Sequence, residues 1–367
     1  MDKSKRVLSM LLLTCLTAGG LGSLKPVFAD DQLTIASFGG AYQAAQRKVY
    51  FEPYAKKAGV KISEEEFNSE TSKIRAMVES KSVSWDAVDM DAVGGEQLCA
   101  EGALETIDWK RLGLDRSRFT GADNDCVVPA DFYATVLAYD KDKLPNGPKN
   151  LNDLFDTQKF PGKRGLYKSP FGNLEWALIA DGVAVKDVYK VLGTSAGVDR
   201  ALKKLDTIKK DVVWWQTGAQ APQLLADGQV VMTSAWNGRI YDAVKNSGKH
   251  FEILWDAQEL GMNVWVIPKG EPRVDAAYKF IAFVTSGSVQ ADQTRYIPYG
   301  PANRDAIAHV DPAVLPHLPT APDHMTHALL IDAAFWGERG TSCVNVSRHG
   351  LRNDIRTARR DSHSSPV

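Results

Sequence analysis

The sequence is poor in cysteine and has almost no excess of either charge. Its 367 residues contain 4 cysteines, and 44 lysine and arginine side chains are matched by 45 aspartate and glutamate side chains, a formal net charge of −1. A groove that binds nucleic acid would show clustered basic residues, whereas here both signs are interspersed. We therefore expect no nucleic acid among the partners.

Several enzyme motifs are also missing. The chain has no His-Glu-x-x-His helix and no phosphate loop of the form Gly-x-x-x-x-Gly-Lys-Ser/Thr. Among its 7 histidines, His324 and His327 could share a helical face, but no third metal ligand accompanies them. We expect no catalytic residue, no metal and no cofactor, and a secreted enzyme is the competing interpretation.

The only long apolar run lies at the amino end. Lys3, Lys5 and Arg6 precede the apolar residues 7–16, and Val27-Phe28-Ala29 (27–29) has the small-x-small pattern of a signal peptidase site. The run is shorter than the roughly 20 residues needed to cross a membrane, so a signal peptide is favoured over an anchor. We predict export to the periplasm with cleavage after Ala29.

The cysteines fit an exported protein. Cys15 lies in the signal peptide and Cys343 in an unusual carboxyl-terminal segment, which leaves Cys99 and Cys126 in the body of the chain. An oxidising compartment favours pairing them. We predict a Cys99–Cys126 disulfide, which would stabilise the fold by roughly 3 kcal/mol.

The carboxyl-terminal segment differs in composition from the rest of the chain. Residues 339–367 contain arginine but no lysine, few acids and no apolar periodicity. Such a composition cannot bury a helix face. We expect residues 337–367 to form a disordered tail, and we hypothesise a frameshift or altered carboxyl terminus.

Strand and helix patterns alternate along the body of the chain, which predicts an α/β fold. Residues 33–37 are typical of a strand, and Phe38-Gly39-Gly40 then turns into a helix that begins near Ala41. Further strands are predicted at 60–66, 85–90, 163–167, 230–235 and 263–268, and a helix at 72–81. The length exceeds what one core usually holds, so we expect two lobes.

Aromatic and acidic side chains follow the ends of these strands. Tyr42, Asp91, Glu175 and Trp236 all occupy such positions, where open α/β sheets place their ligands. Ring faces and carboxylates together bind organic cations. Two alternatives stay open: Tyr42 could pack between sheet and helix, and Asp91 could cap the next helix.

Five segments, taken in order, resemble those of a known family. They are Ser37-Phe-Gly-Gly-Ala-Tyr42, Trp85-Asp86, Thr135-Val-Leu-Ala-Tyr139, Ser234-Ala-Trp-Asn-Gly238 and Tyr299-Gly-Pro-Ala-Asn303. The chain resembles periplasmic solute-binding proteins of ABC importers, of the spermidine/putrescine-binding type, over residues 33 to about 336.

The resemblance implies a type II periplasmic binding protein fold. Each of two lobes is then a mixed β-sheet flanked by helices, and a two-crossover hinge lets the lobes close on the ligand. Residues 30–138 and 264–302 would form the first lobe, and residues 139–263 and 303–336 the second. The implied partners are an ABC permease and its ATPase, and we expect a monomer.

The resemblance also implies an aromatic box with acidic residues. Tyr42, Glu175, Trp236 and Tyr299 match its positions, while Tyr133 and Asp91 match less closely. We add two further candidates at strand ends, Trp215 and Asn263. In the pair Trp214-Trp215, one indole could cover the core while the other faces the cleft.

Two departures from the family pattern bear on the ligand. A Trp-x-Asp element is replaced by Gly261-Met262-Asn263, and Gly172 stands where another acid is expected. A small amine such as putrescine or spermidine is the first expectation, although a triamine would lose about 1.5–3 kcal/mol for each missing charged hydrogen bond. The alternative is an amino acid or a γ-aminobutyrate-like zwitterion, whose carboxylate Arg239 could bind unless Arg239 forms an ordinary surface salt bridge.

Overall fold

A computed structural model describes residues 32–338 of the chain. The predicted signal peptide (residues 1–29) and the tail beyond residue 338, including Cys343, lie outside the described residues. Within them, no helix is long and apolar enough to cross a membrane.

The described residues form ten strands: β1 Gln32–Ser37, β2 Lys61–Glu66, β3 Ala87–Asp91, β4 Val128–Asp140, β5 Arg164–Tyr167, β6 Val212–Trp215, β7 Met232–Trp236, β8 Phe251–Val266, β9 Gly300–Pro301 and β10 Leu329–Leu330. All ten belong to one mixed sheet, whose main path runs β2-β1-β3-β8-β4-β7-β5-β6.

Helices cover the sheet. They are α1 Gly40–Gln46, α2 Glu52–Ala58, α3 Thr71–Glu79, α4 Ala92–Ala100, α5 Trp109–Leu112, α6 Asn173–Ala180, α7 Val188–Leu192, α8 Ser195–Asp206, α9 Gln220–Ala226, α10 Asn237–Ser247, α11 Val274–Val284, α12 Gly287–Thr294 and α13 Pro322–Met325. A π-helical turn, Arg47–Phe51, joins α1 to α2.

The first unit forms as its sequence predicts. Leu33 and Ile35 of β1 are fully buried, and the chain turns into α1 through Gly39 and Gly40, whose φ angles of 64° and 53° lie in the left-handed region. A side chain at either position would be strained, so the two glycines fix this turn. The turn brings the start of α1 to the carboxyl end of β1.

Two long antiparallel strands, β4 and β8, connect the two sides of the sheet. On one side, β8 pairs with β3, which is followed by β1 and β2. On the other side, β4 pairs with β7, which is followed by β5 and β6. Because both strands run through both sides, they are the physical link between the two halves of the molecule.

The hydrophobic core is divided in the same way. One cluster surrounds Leu33, Trp265 and Phe280 in the first half, and another surrounds Leu166 and Trp176 in the second. Residues 304–318 pack on α12 of the first half through Ala306 and Val310, whereas Trp336 packs on α6 of the second half. The lobe boundaries stay a prediction, and this packing favours placing residues 304–318 with the first lobe.

The predicted disulfide is confirmed. Cys99, near the end of α4, is bonded to Cys126, which lies just before β4, and their Cα atoms are 5.7 Å apart. The bond links a helix beside the cleft to the strand that enters the second half.

Candidate ligand-binding cavity

A cavity of about 470 Å³ lies between the two halves, where strands from both sides end. Seven of the eight residues predicted to bind ligand contribute to its lining: Tyr42, Asp91, Tyr133, Trp215, Trp236, Asn263 and Tyr299. Their direct contact with a ligand stays a prediction, but the structure brings them together from seven separate stretches of chain.

Trp236 lies at the centre of an aromatic wall. Its indole makes edge-to-face contacts with Trp215 at 5.6 Å and Tyr167 at 6.0 Å between ring centroids, and with Phe38 at 6.2 Å and Tyr133 at 6.3 Å. Such contacts hold each ring in a defined orientation. The wall therefore presents a preformed surface for methylene groups or an ammonium.

The Trp-Asn-Gly turn explains how Trp236 is held. The Asn237 side chain accepts from the Ala134 amide at 3.0 Å and donates to the Pro298 carbonyl at 2.9 Å. A Cβ at Gly238 would lie 2.3 Å from Ile297, so only glycine allows this close approach. The three residues together fix the start of α10 against β4.

The structure settles the alternatives for the Trp214-Trp215 pair. Trp215 lines the cavity, whereas Trp214 packs with the core of the second half. Successive side chains of a strand point to opposite faces, which separates the two indoles.

Arg239 is a buried cation at the cavity. Its side chain is only 4% exposed, and both of its terminal nitrogens donate to the Gly39 carbonyl at 3.1 Å. Its Nε has no partner, and no carboxylate pairs with it within the described part of the chain. Burial lowers the pKa of Arg239, although an arginine stays charged. The surface salt bridge considered above is therefore wrong.

Asp91 is the acidic counterpart of Arg239. It caps α4, with Oδ1 accepting from the Gly94 amide at 2.9 Å, and it also lines the cavity, so capping and cavity lining occur together. Burial raises the pKa of Asp91. Among the described residues that line the cavity, Asp91 is the only acid and Arg239 the only base.

Glu175 lies behind the cavity wall rather than at its surface. From the first turn of α6, its carboxylate accepts from the Gly172 amide at 2.9 Å, from Trp336 Nε1 at 2.6 Å and from the Tyr189 hydroxyl at 3.3 Å. Burial raises the pKa of Glu175 to about 7. The carboxylate turns back to hold the start of its own helix and the Trp336 segment.

Protein side chains fill both places where the family pattern is broken. A Cβ at Gly261 would lie 2.5 Å from the ring of Tyr133, so that ring occupies the space of the missing aromatic. A Cβ at Gly172 would lie 2.8 Å from the carboxylate of Glu259. The departures in sequence therefore leave no gaps.

Sequence reasoning missed several lining residues and one motif. Tyr167, at the end of β5, follows the same strand-end rule that predicted Trp236. The run of residues 193–197 has the Gly-x-Ser-x-Gly pattern of a hydrolase elbow, but Ser195 begins α8 directly after helix α7. The elbow requires a strand before the serine, so this run is a helix junction with Thr194 as its cap.

No group of three or more histidine, cysteine or acidic side chains within residues 32–338 could hold a metal ion. The cavity instead offers one fixed positive group, one carboxylate and a set of aromatic faces. That arrangement can bind a small molecule that carries both charges.

Comparisons with known proteins agree with this geometry. Residues 50–320 match the model of the bacterial extracellular solute-binding protein family. The γ-aminobutyric acid-binding protein of Pseudomonas aeruginosa is 41% identical over 311 residues, 85% of this chain and 88% of that protein. The spermidine/putrescine-binding periplasmic protein of Salmonella typhimurium is 22% identical over 294 residues, 75% of this chain and 80% of that protein.

A solved structure supports the fold class. The periplasmic binding protein MotA of Agrobacterium tumefaciens B6 in complex with glucopine has a TM-score of 0.80 and 33% identity, covering 85% of this chain and 97% of that chain. The predicted two-lobed α/β fold with flanking helices is confirmed, although the mixed sheets expected in each lobe are joined through β4 and β8 into one continuous sheet.

Proposed function

The chain belongs to the bacterial extracellular solute-binding proteins, and from this premise we propose that it captures a γ-amino acid such as γ-aminobutyrate for an ABC importer. The observation that carries the proposal is Arg239, a buried guanidinium at the cavity that has no carboxylate partner among the described residues. A ligand carboxylate supplies the missing charge.

The balance of charges favours a zwitterion over a polyamine. A diamine or triamine needs several acidic partners, and the described lining residues provide only Asp91 while placing Arg239 nearby. Two like charges in a poorly solvated cleft repel strongly. A γ-amino acid satisfies both residues, because its carboxylate binds Arg239 and its ammonium binds Asp91.

The aromatic wall completes the recognition of such a ligand. Trp236, Tyr133 and Tyr167 offer ring faces to the methylene chain and to the ammonium, an attraction worth roughly 0.5–2 kcal/mol for each good contact. The relative of 41% identity, which is named for γ-aminobutyric acid, supports the same ligand class.

The proposal extends to location and partners. Residues 1–29 act as a signal peptide cleaved after Ala29, and the mature monomer closes its lobes on the ligand in the periplasm and delivers it to an ABC permease and ATPase. It catalyses no reaction. The signal-peptide pattern and a relative named as a periplasmic protein support this location.

A calorimetric titration tests the ligand class. Refolded mature protein is titrated with γ-aminobutyrate, putrescine, spermidine and glycine betaine. We expect heat of binding with γ-aminobutyrate and a much weaker signal, or none, with the two polyamines. Tight putrescine binding without γ-aminobutyrate binding would overturn the proposal and restore the polyamine interpretation.

A further inference from the structure

The hydroxyl of Tyr42 lies between two buried carboxylates. Its oxygen is 2.7 Å from Oδ2 of Asp89 and 2.7 Å from Oδ2 of Asp131, and both acids are almost completely buried. A tyrosine hydroxyl carries one hydrogen and can donate it to only one of them. The second short contact therefore needs a hydrogen from the carboxyl side, which means that one acid is protonated.

The remaining contacts of the two acids are all with neutral groups. Asp89 accepts from the Gln46 side chain and, at 3.5 Å, from the Ser37 hydroxyl, while Asp131 accepts from Asn263 Nδ2 at 2.9 Å. Asp89 Oδ1 and Gln46 Oε1 are buried acceptors that no donor of the described residues reaches. The side-chain amide of Gln293, which also interacts with Asp131, has a buried Nε2 without a geometric partner, so the extra proton is inferred from the two short contacts of the Tyr42 hydroxyl.

The surrounding charges do not compensate a second negative charge. The titratable neighbours that interact with the pair are Tyr42 of α1, Tyr50 of the π-helical turn and Tyr299. Arg239 interacts with Tyr299 and with Tyr42, but no basic side chain of residues 32–338 forms an ion pair with either acid. Burial raises the pKa of Asp89 and of Asp131, and repulsion from Asp131 raises that of Asp89 further.

The acid pair stands directly behind the cavity wall. Two of the groups that contact the acids, Tyr42 and Asn263, also line the cavity. Asp131 on β4 lies opposite Asn263 on β8 in the sheet, so the cluster lies where the two strands shared by both halves meet. Any change in its charge acts on the wall and on the link between the halves.

We propose that Asp89 and Asp131 share one proton through Tyr42, and that this proton positions Tyr42 and Asn263 for the ligand. Loss of the proton to water leaves two carboxylates against one hydroxyl, which weakens ligand capture. The two acids are thus positioning residues that act through Tyr42. The binding part of this inference rests on the proposed function, whereas the shared proton does not.

The shared proton is tested without ligand. The carboxyl carbons of aspartate are labelled with 13C, and their NMR shifts are followed from pH 3 to pH 9, with Asp89→Asn and Asp131→Asn used to assign the two signals. We expect one of the two acids to stay protonated above about pH 6, where a free aspartate is fully ionised. Two acids that both titrate near pH 4 would overturn the proposal.

The positioning role is tested by the pH profile of affinity, with γ-aminobutyrate as the probe. We expect the dissociation constant of the unaltered protein to rise about tenfold between pH 6 and pH 8.5, the effect of a shift of one pKa unit. The asparagine variant that replaces the protonated acid keeps a donor for Tyr42 that cannot be lost to water, so its dissociation constant should stay the same between pH 6 and pH 8.5. A flat profile in the unaltered protein, or the same rise in both variants, contradicts the role.

A remote acid provides the matched control. Burial raises the pKa of Glu271 to about 8, but Glu271 lies beside Asp86 and Arg273 and does not line the cavity. Glu271→Gln should therefore leave the affinity profile unchanged. If γ-aminobutyrate fails to bind at any pH, the proposed ligand is wrong. The NMR titration then still decides whether the two acids share a proton. The pH profile of affinity is in that case measured with whichever solute of the calorimetric series binds.

Discussion

Two arginines are buried among residues 32–338, and their surroundings differ. Arg164, at the start of β5, is fully buried and donates to four main-chain carbonyls, those of Leu154, Asp156, Phe160 and Gly162, at 2.6–2.9 Å. Arg239, which lines the cavity, is 4% exposed, bonds to main-chain carbonyls of the turn before α1 and leaves Nε without a hydrogen-bond partner among the described residues.

The difference separates a structural cation from a binding cation. Both guanidinium groups lose water on folding, which is costly unless hydrogen bonds replace it. Around Arg164 the loop that precedes β5 supplies those bonds completely. Around Arg239 the replacement is incomplete, because Nε has no hydrogen-bond partner and no carboxylate pairs with the guanidinium among residues 32–338. Because Arg239 also lines the cavity, a ligand carboxylate can supply the missing negative charge.

Replacing Arg164 tests the structural side of this comparison and should have the largest effect. Arg164→Met keeps most of the apolar stem but leaves four carbonyls without a donor, and an unsatisfied buried acceptor costs about 1–3 kcal/mol. We expect the free energy of unfolding to fall by about 4 kcal/mol, measured by urea denaturation. The affinity of the remaining folded protein for γ-aminobutyrate should not change. A loss of affinity without a loss of stability would contradict the assignment of Arg164 as a purely structural cation.

Replacing Arg239 tests the binding side. Arg239→Met removes the partner of the ligand carboxylate, and truncating one member of a buried charge pair costs about 2–5 kcal/mol of binding free energy. We expect the affinity for γ-aminobutyrate to fall by about a hundredfold in calorimetry, with a smaller change in stability than for Arg164→Met. Unchanged affinity would show that Arg239 is a second structural arginine.

The strand-turn-helix unit at the start of the fold could be predicted, because its signals are local. Alternating apolar residues define β1, and Gly39-Gly40 defines the turn. For the long strand β8 the sequence pattern predicts only residues 263–268, whereas the strand spans Phe251–Val266. Its first part contains Asp256 and Gln258, which break the apolar pattern and find partners only in the folded protein, at the Leu151 amide and the Pro319 carbonyl.

In the candidate site, too, features that depend on contacts distant in the sequence could not be predicted. Aromatic residues at strand ends were found because sheet geometry brings such ends together. The burial of Arg239 could not be predicted, since its partner, the Gly39 carbonyl, lies 200 residues away in the sequence. The family pattern places Glu175 at the ligand, but in the structure its carboxylate accepts from the Gly172 amide of its own helix start. Trp336 Nε1 also donates to this carboxylate, and this contact between residues far apart in the sequence could not be predicted.

Trp236 extends the comparison of binding and structural residues to side chains without charge. Trp236→Ala removes the centre of the aromatic wall, and we expect at least a roughly tenfold loss of affinity, since lost ring contacts and burial together exceed about 1.4 kcal/mol. Trp214→Ala is the matched control, because this neighbouring indole packs in the core. It should lower the melting temperature and leave affinity unchanged, and equal losses of affinity in both variants would argue against a specific role for Trp236.

Glu175 extends the comparison to a buried acid whose oxygens both have protein donors, as the nitrogens of Arg164 have protein acceptors. Burial raises the pKa of Glu175 to about 7. Between the ordinary pKa of glutamate and pH 7, the folded protein therefore keeps a proton on Glu175 that the unfolded protein has released. This bound proton stabilises the folded state, and the stabilisation is lost as the pH rises through 7. We expect Glu175→Gln, which keeps the size and polarity of the side chain, to remove about 1 kcal/mol of the fall in unfolding free energy between pH 6 and pH 7. The measurement is urea denaturation of both proteins at the two pH values. A buried group whose hydrogen bonds all come from the protein should influence stability and not ligand binding. Normal binding of γ-aminobutyrate by Glu175→Gln would therefore support the distinction drawn between Arg164 and Arg239. Normal stability together with weakened binding would contradict it.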